Sequence, residues 1–186
     1  YGIPSINPVN EEMLPRPQES YGQAKYDGEK LCKEYLSEKL DVIIVRPRTI
    51  LGHGRLGIFQ ILFEWIKEGK NIPVLGNGDN IYQFIHADDL ASSILKSLKI
   101  KPTVLKKKFK SKLPIMNVGT NEEISIRNLS KLIAKFIQFK GGIKFDLKSP
   151  DGTYRKGLNS KKIRDFGWSP KIKLKDGLKQ VIENKL

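Results

Sequence analysis

The run Asp41-Val42-Ile43-Ile44-Val45-Arg46, stopped by Pro47, constrains the fold more than any other stretch. A strand with one wet face alternates apolar and polar residues. An unbroken apolar run marks a strand buried on both faces, the kind found in parallel sheets covered by helices. Helical spacing stands on both sides of it. Residues 20–39 place Leu31, Tyr35 and Leu36 on one apolar stripe, with Ser20 as the cap, and residues 58–69 do the same with Phe59, Leu62, Phe63 and Ile66. Further along, 71–75, 81–85, 115–118 and 143–147 read as short strands. Between them lie helices at 86–98 and 125–139, and two short helices close the chain at 160–166 and 174–184. Residues 1–19, with four prolines, read as an extended loop, and 99–113, with seven lysines, as an exposed connection. Strands that alternate with helices give an α/β chain.

Composition removes several alternatives. The only cysteine, Cys32, rules out a disulfide framework and a cysteine zinc site. Two histidines, His53 and His86, with no ligand set beside them predict no metal site. The longest apolar runs are far short of a membrane span, so a cytoplasmic chain without membrane contact is the expectation. Charge is uneven: residues 1–95 carry a net −3 and residues 96–186 a net +17. That field suits an anionic ligand. RNA along the lysines of 99–112 is the rival, which makes the chain a binding protein instead of an enzyme. Against it, the whole chain has 7 Arg beside 27 Lys, and nucleic-acid readers favour Arg.

Tyrosine and lysine one helical turn apart share a face, and an ammonium beside a phenol favours the phenolate, which serves as general acid or base at a hydroxyl. Three pairs have this spacing: Tyr21/Lys25, Tyr26/Lys30 and Tyr35/Lys39. Spacing alone does not choose among them, and it leaves all three as ordinary residues of a helix surface. Their order among other motifs does choose. Tyr1-Gly2-x-Pro4 is followed by Ser20-Tyr21-Gly22-x-x-Lys25 and Gly28-Glu29. Arg46-Pro47, a glycine-rich loop, Gly76-x-Gly78 and Phe84-Ile85-His86-x-Asp88-Asp89 come next, then Asn117-Val118-Gly119 and Gly167-Trp168-x-Pro170. In this order the series resembles the extended short-chain dehydrogenase/reductase family of NAD(P)-dependent nucleotide-sugar epimerases and dehydratases. The run from Asn117 onward, Asp151-Gly152-Thr153-x-Arg155-Lys156 above all, resembles its GDP-L-fucose synthase branch.

The resemblance implies the C-terminal part of a Rossmann-like doubly wound sheet plus a smaller α/β substrate-binding lobe. Residues 1–57 would be a remnant of the dinucleotide-binding domain and 58–186 mostly the lobe, with 71–98 and 115–118 free to cross back to the main sheet. It implies Tyr21 as acid/base catalyst and Lys25 as its partner and ribose contact. Pro47, Arg48 and Thr49 would face the cofactor, NAD or NADP. A nucleotide-diphosphate sugar would meet Thr49, Tyr82, Asp151 and Arg155. Thr49 stands where the family usually has Asn, and Tyr82 or Gln83 where it often has Arg. Arg155 then becomes the expected anion partner, because its planar fork matches phosphate oxygens. Asp88 and Asp89 are expected to be structural acids at a helix N-terminus. Trp168 is expected in the core. The glycine-rich phosphate loop of the family is expected upstream of Tyr1, in a longer protein that forms a homodimer. Which sugar, which nicotinamide cofactor, and epimerase, dehydratase or reductase all stay open.

Overall fold

The structure, a computed structural model, describes residues 1–36, 40–52, 65, 68–110, 112–149 and 153–183. The expected helix at 58–69, His53 and Asp151 fall outside these residues, apart from single positions of that helix. Strand β1 (Ile44–Pro47) pairs in parallel with β5 (Ile115–Val118), so the apolar run lies in a parallel sheet as its pattern predicts. β2 (Thr49–Leu51) pairs in parallel with the second half of β4 (Ile81–His86). The first half of β4 is flanked by antiparallel β6 (Glu123–Ser125) and parallel β8 (Arg155–Lys156). β3 (Ile72–Leu75) pairs in parallel with β7 (Ile143–Asp146).

The helices obey local rules. In α2 (Ala87–Leu98), His86 is the N-cap and its Nδ1 accepts from the Asp88 amide at 3.3 Å. The Asp89 carboxylate is buried and accepts from the amides of Lys171 (3.0 and 3.1 Å) and Ile172 (2.9 Å), which makes it a structural clamp. In α4 (Ile126–Phe136), Ser125 Oγ accepts from the Asn128 amide, and Leu129 and Ile133 are buried against α6 (Leu174–Glu183). After α5 (Lys161–Asp165), Gly167 has φ +79°. Its amide bonds to the Arg164 carbonyl and that of Trp168 to the Ile163 carbonyl, a left-handed C-terminal cap. Trp168 is buried as expected, and its indole Nε1 donates to Ser92 Oγ at 2.9 Å.

Five expectations need correction. Residues 99–113 are not a bare connection. They hold α3 (Pro102–Lys108), with Pro102 in its first turn and Leu105 buried. The run at 41–46 becomes a strand only from Ile44, and residues 42–46 are half-buried, not buried on both faces as expected. Strands β6 and β8 were not expected, because two or three residues show no periodicity of their own. The stripe of α1 (Ser20–Leu36) does not enter the core: Leu31 and Tyr35 are exposed and no residue of this helix is buried. Ser20, expected as the cap, is instead the first residue of the helix.

Candidate active site

A cavity of about 900 Å³ opens between α1 and the segment Ile44–Ile50, a size typical of ligand pockets. Its α1 wall is set by helical periodicity. Tyr21, Lys25 and Glu29 succeed one another at one-turn intervals and all line it. Lys25 Nζ stands 5.5 Å from the centre of the Tyr21 ring, and the ring is 70% exposed, so its hydroxyl is free to meet a ligand. The opposite wall is the end of β1 and the start of β2, with Pro47, Arg48 and Thr49. Here the chain leaves β1 and enters β2 within two residues, which presents backbone at the carboxyl end of a parallel strand, where α/β folds place their ligands.

Five of the expected residues, Tyr21, Lys25, Pro47, Arg48 and Thr49, therefore share one cavity. The three Tyr/Lys pairs are not equivalent. Tyr26 lines the cavity too, but its partner Lys30 does not. Lys30 Nζ sits 4.6 Å from the Tyr26 ring centre and bonds Asp27 Oδ1 at 2.8 Å. Tyr35 is outside the cavity and exposed, and Lys39 lies outside the described residues.

Tyr82 and Arg155 occupy neighbouring strands outside this cavity. Tyr82 pairs with Lys156 across β4 and β8, and Lys156 Nζ stands 4.5 Å from its ring centre. Arg155 is held by Glu123: Nε donates at 3.1 Å to each carboxylate oxygen and Nη2 at 2.7 Å to Oε2. Its guanidinium pKa is raised by that hydrogen bond and the charge beside it. Arg48 joins the two regions, with its side chain running from the cavity to donate from Nε to the Lys156 carbonyl at 2.8 Å. Burial lowers its pKa from the ordinary arginine value. Among the described residues no three His, Cys, Asp or Glu side chains converge as a metal site, and no helix is long and apolar enough to cross a membrane.

The sequence assigned no role to Tyr1, Glu29 or Arg46, yet all three line the cavity. Arg46 Nε donates to Glu29 Oε1 at 2.7 Å and Nη2 to Oε2, a two-pronged ion pair with side chains only 13% and 19% exposed. The Arg46 guanidinium carbon lies 4.6 Å from the Tyr1 ring centre, and Tyr1 Oη donates to Asn117 Oδ1 at 2.6 Å. Burial opposes the charge of Arg46, but the bonds to Glu29 and Tyr1 outweigh it and leave its pKa raised. Glu29 and Arg46 did stand in the ordered motif series. The contact between them, 17 residues apart, has no local pattern to announce it.

The family model of the NAD dependent epimerase/dehydratase family matches residues 1–119. An uncharacterized protein of Sinorhizobium fredii, y4nG, is 44% identical over 145 residues, covering 77% of this chain and 34% of that protein. GDP-L-fucose synthase of Escherichia coli is 32% identical over 172 residues, covering 86% of this chain and 54% of that protein. The chain thus spans about half the length, or less, of the curated relatives it matches. Among solved structures, UDP-glucuronic acid 4-epimerase of Bacillus cereus, in complex with UDP-glucuronic acid and NAD, superposes with a TM-score of 0.80 at 24% identity. The match covers 96% of this chain and 57% of that one, and it establishes a common fold.

Proposed function

The chain belongs to the NAD-dependent epimerase/dehydratase family, and on that premise we propose that the protein is an NAD(P)-dependent epimerase, dehydratase or reductase of a nucleotide-diphosphate sugar, with Tyr21 as its general acid and base. One observation carries this reading. Of the three Tyr/Lys pairs, only Tyr21/Lys25 has both members on the cavity that Pro47, Arg48 and Thr49 close from the other side.

The residues present fit the ribose–nicotinamide end of the cofactor. A nicotinamide ring needs an apolar wall, which Val45, Pro47 and Ile50 supply, and ribose hydroxyls need a donor, which Lys25 supplies. When bound, the nicotinamide takes up and returns a hydride at a sugar carbon. The work of this chain is the matching proton. Tyr21 Oη takes the proton of the sugar hydroxyl as its oxygen becomes a carbonyl, and gives it back when the oxygen is reduced. The Lys25 ammonium stabilises the negative charge that Tyr21 Oη carries before it takes the proton and again after it returns it. Thr49, exposed at the cavity rim, faces the sugar. The diphosphate runs toward β4 and β8, where Tyr82, Lys156 and Arg155 stand in register. Arg155 engages it while shared with Glu123.

The test is turnover in the whole protein, followed by nicotinamide absorbance with a panel of nucleotide sugars. Tyr21→Phe lowers kcat by about 100-fold or more, the scale of lost acid/base catalysis. Tyr35→Phe and Tyr26→Phe stay within about threefold, because Tyr35 itself and Lys30, the partner of Tyr26, both lie off the cavity. Equal damage from Tyr26→Phe and Tyr21→Phe would overturn the assignment.

A further inference from the structure

Among the described residues, the helix that carries Tyr21 and Lys25 fully buries none of its own and meets β1 through a polar contact. It runs for 17 residues, none of them buried, and Leu31 and Tyr35 face outward. Fully buried apolar side chains, such as Leu129 and Ile133 of α4 or Leu178 and Val181 of α6, have no counterpart in it. That polar contact is Glu29, one turn beyond Lys25 on the same face, forked onto Arg46 of β1. We infer that Glu29 and Arg46 are positioning residues, a clamp that sets the distance and rotation of Tyr21 and Lys25 against the wall formed by Pro47, Arg48 and Thr49. This inference rests on the acid/base role proposed for Tyr21.

Three features support positioning over mere stabilisation. A desolvated ion pair adds little net stability, since the cost of taking both charges from water offsets their attraction; its gain is directional. A guanidinium fork on a carboxylate allows one planar geometry, whereas apolar side chains slide. The clamp is also anchored from behind. Arg46 lies against the Tyr1 ring, Tyr1 bonds Asn117 of β5, and the Asn117 amide donates to Glu11 Oε1 at 2.8 Å. The helix is thus referenced to two adjacent strands and the N-terminal loop. Arg46 Nη1 is buried with no partner, so the guanidinium has no spare acceptor to turn to if Glu29 is lost.

The experiment compares Glu29→Gln with the double replacement Glu29→Leu/Arg46→Met in the whole protein. It reads three quantities: thermal unfolding, amide exchange along α1, and kcat and KM. Glu29→Gln lowers kcat about 10- to 100-fold with KM for the nucleotide sugar nearly unchanged, the scale for a catalytic group displaced by about an ångström. Amide exchange in α1 rises about tenfold while that of α4 stays as it is, because only one helix is loosened. The double variant melts no lower than Glu29→Gln, since no buried charge is left alone, yet keeps the low kcat and the fast α1 exchange. Unchanged α1 exchange in Glu29→Gln, or wild-type kcat in the double variant, would overturn the clamp. Loosened α1 exchange combined with an inert Tyr21→Phe would instead overturn the acid/base role and leave the clamp standing.

Discussion

Asp89 separates a structural acid from a catalytic one. Its carboxylate is 3% exposed and accepts from two backbone amides, those of Lys171 and Ile172. These amides lie just before α6, whose Leu174, Leu178, Val181 and Ile182 fill one of the two main clusters of the core. Asp89→Ala leaves both donors without an acceptor. A hydrogen bond to a charged group is worth about 1.5–3 kcal/mol. Water reaches the exposed Lys171 in part, so the sum is discounted to about 3 kcal/mol. Asp89→Asn keeps one acceptor oxygen and loses the charge, costing about 1–2 kcal/mol. Neighbouring Asp88 has a side chain 79% exposed, 3.5 Å from His86 Nδ1. Asp88→Asn should cost under about 1 kcal/mol, the worth of an exposed acid at a helix N-terminus. Urea unfolding measures this directly: the midpoint falls in the order Asp88→Asn, Asp89→Asn, Asp89→Ala with the slope unchanged. A fully stable Asp89→Asn with turnover lost would refute the structural assignment and make Asp89 part of the chemistry.

Two further outcomes follow from contacts around the cavity. Burial raises the Tyr1 phenol above its ordinary value, although the bonds to Arg46 and Asn117 pull it down; a raised folded pKa means stability is whole below the unfolded value of about 10 and drains away as pH climbs through the folded one. Urea midpoints of the wild type should therefore fall above about pH 10 while those of Tyr1→Phe do not share that loss, and parallel curves would refute it. At Gly52, an added Cβ would stand 2.6 Å from Ala87 Cβ, at the first residue of α2, with no flexible side chain to yield. Gly52→Ala should lower stability by about 1–3 kcal/mol in a thermal melt, and a wild-type midpoint would show that β2 and α2 can part.

What could be read from the chain alone follows from where each element gets its stability. β1 and α4 announced themselves, because an unbroken apolar run and a one-sided apolar stripe are each visible in the residues, although β1 is only half-buried. α3 stayed hidden: Leu105 is its one buried residue, and three lysines in its last turn look like a solvated run. β6 and β8 exist only because β4 offers an edge on each side. The stripe of α1 was legible, but its direction was not, since no described element covers Leu31 or Tyr35. In the candidate site, Tyr21 and Lys25 were found by their place in an ordered series. The Glu29–Arg46 pair was not, because two-pronged geometry across a fold has no expression in spacing.

The parallel pairing of the sheets bears on how this chain reaches its native state. Ile44 meets Ile115, and Ile72 meets Ile143, partners about 70 residues apart that no hairpin can bring together. Each pair must wait for a long closure before it gains anything, and contacts of this range slow folding. Until β5 arrives, β1 stands as an apolar strand with a bare edge beside it, the kind of surface that seeks a partner in another molecule. Yield on refolding should therefore fall steeply as protein concentration rises, and the interval before β1 and β5 meet is when the chain is most exposed to that loss.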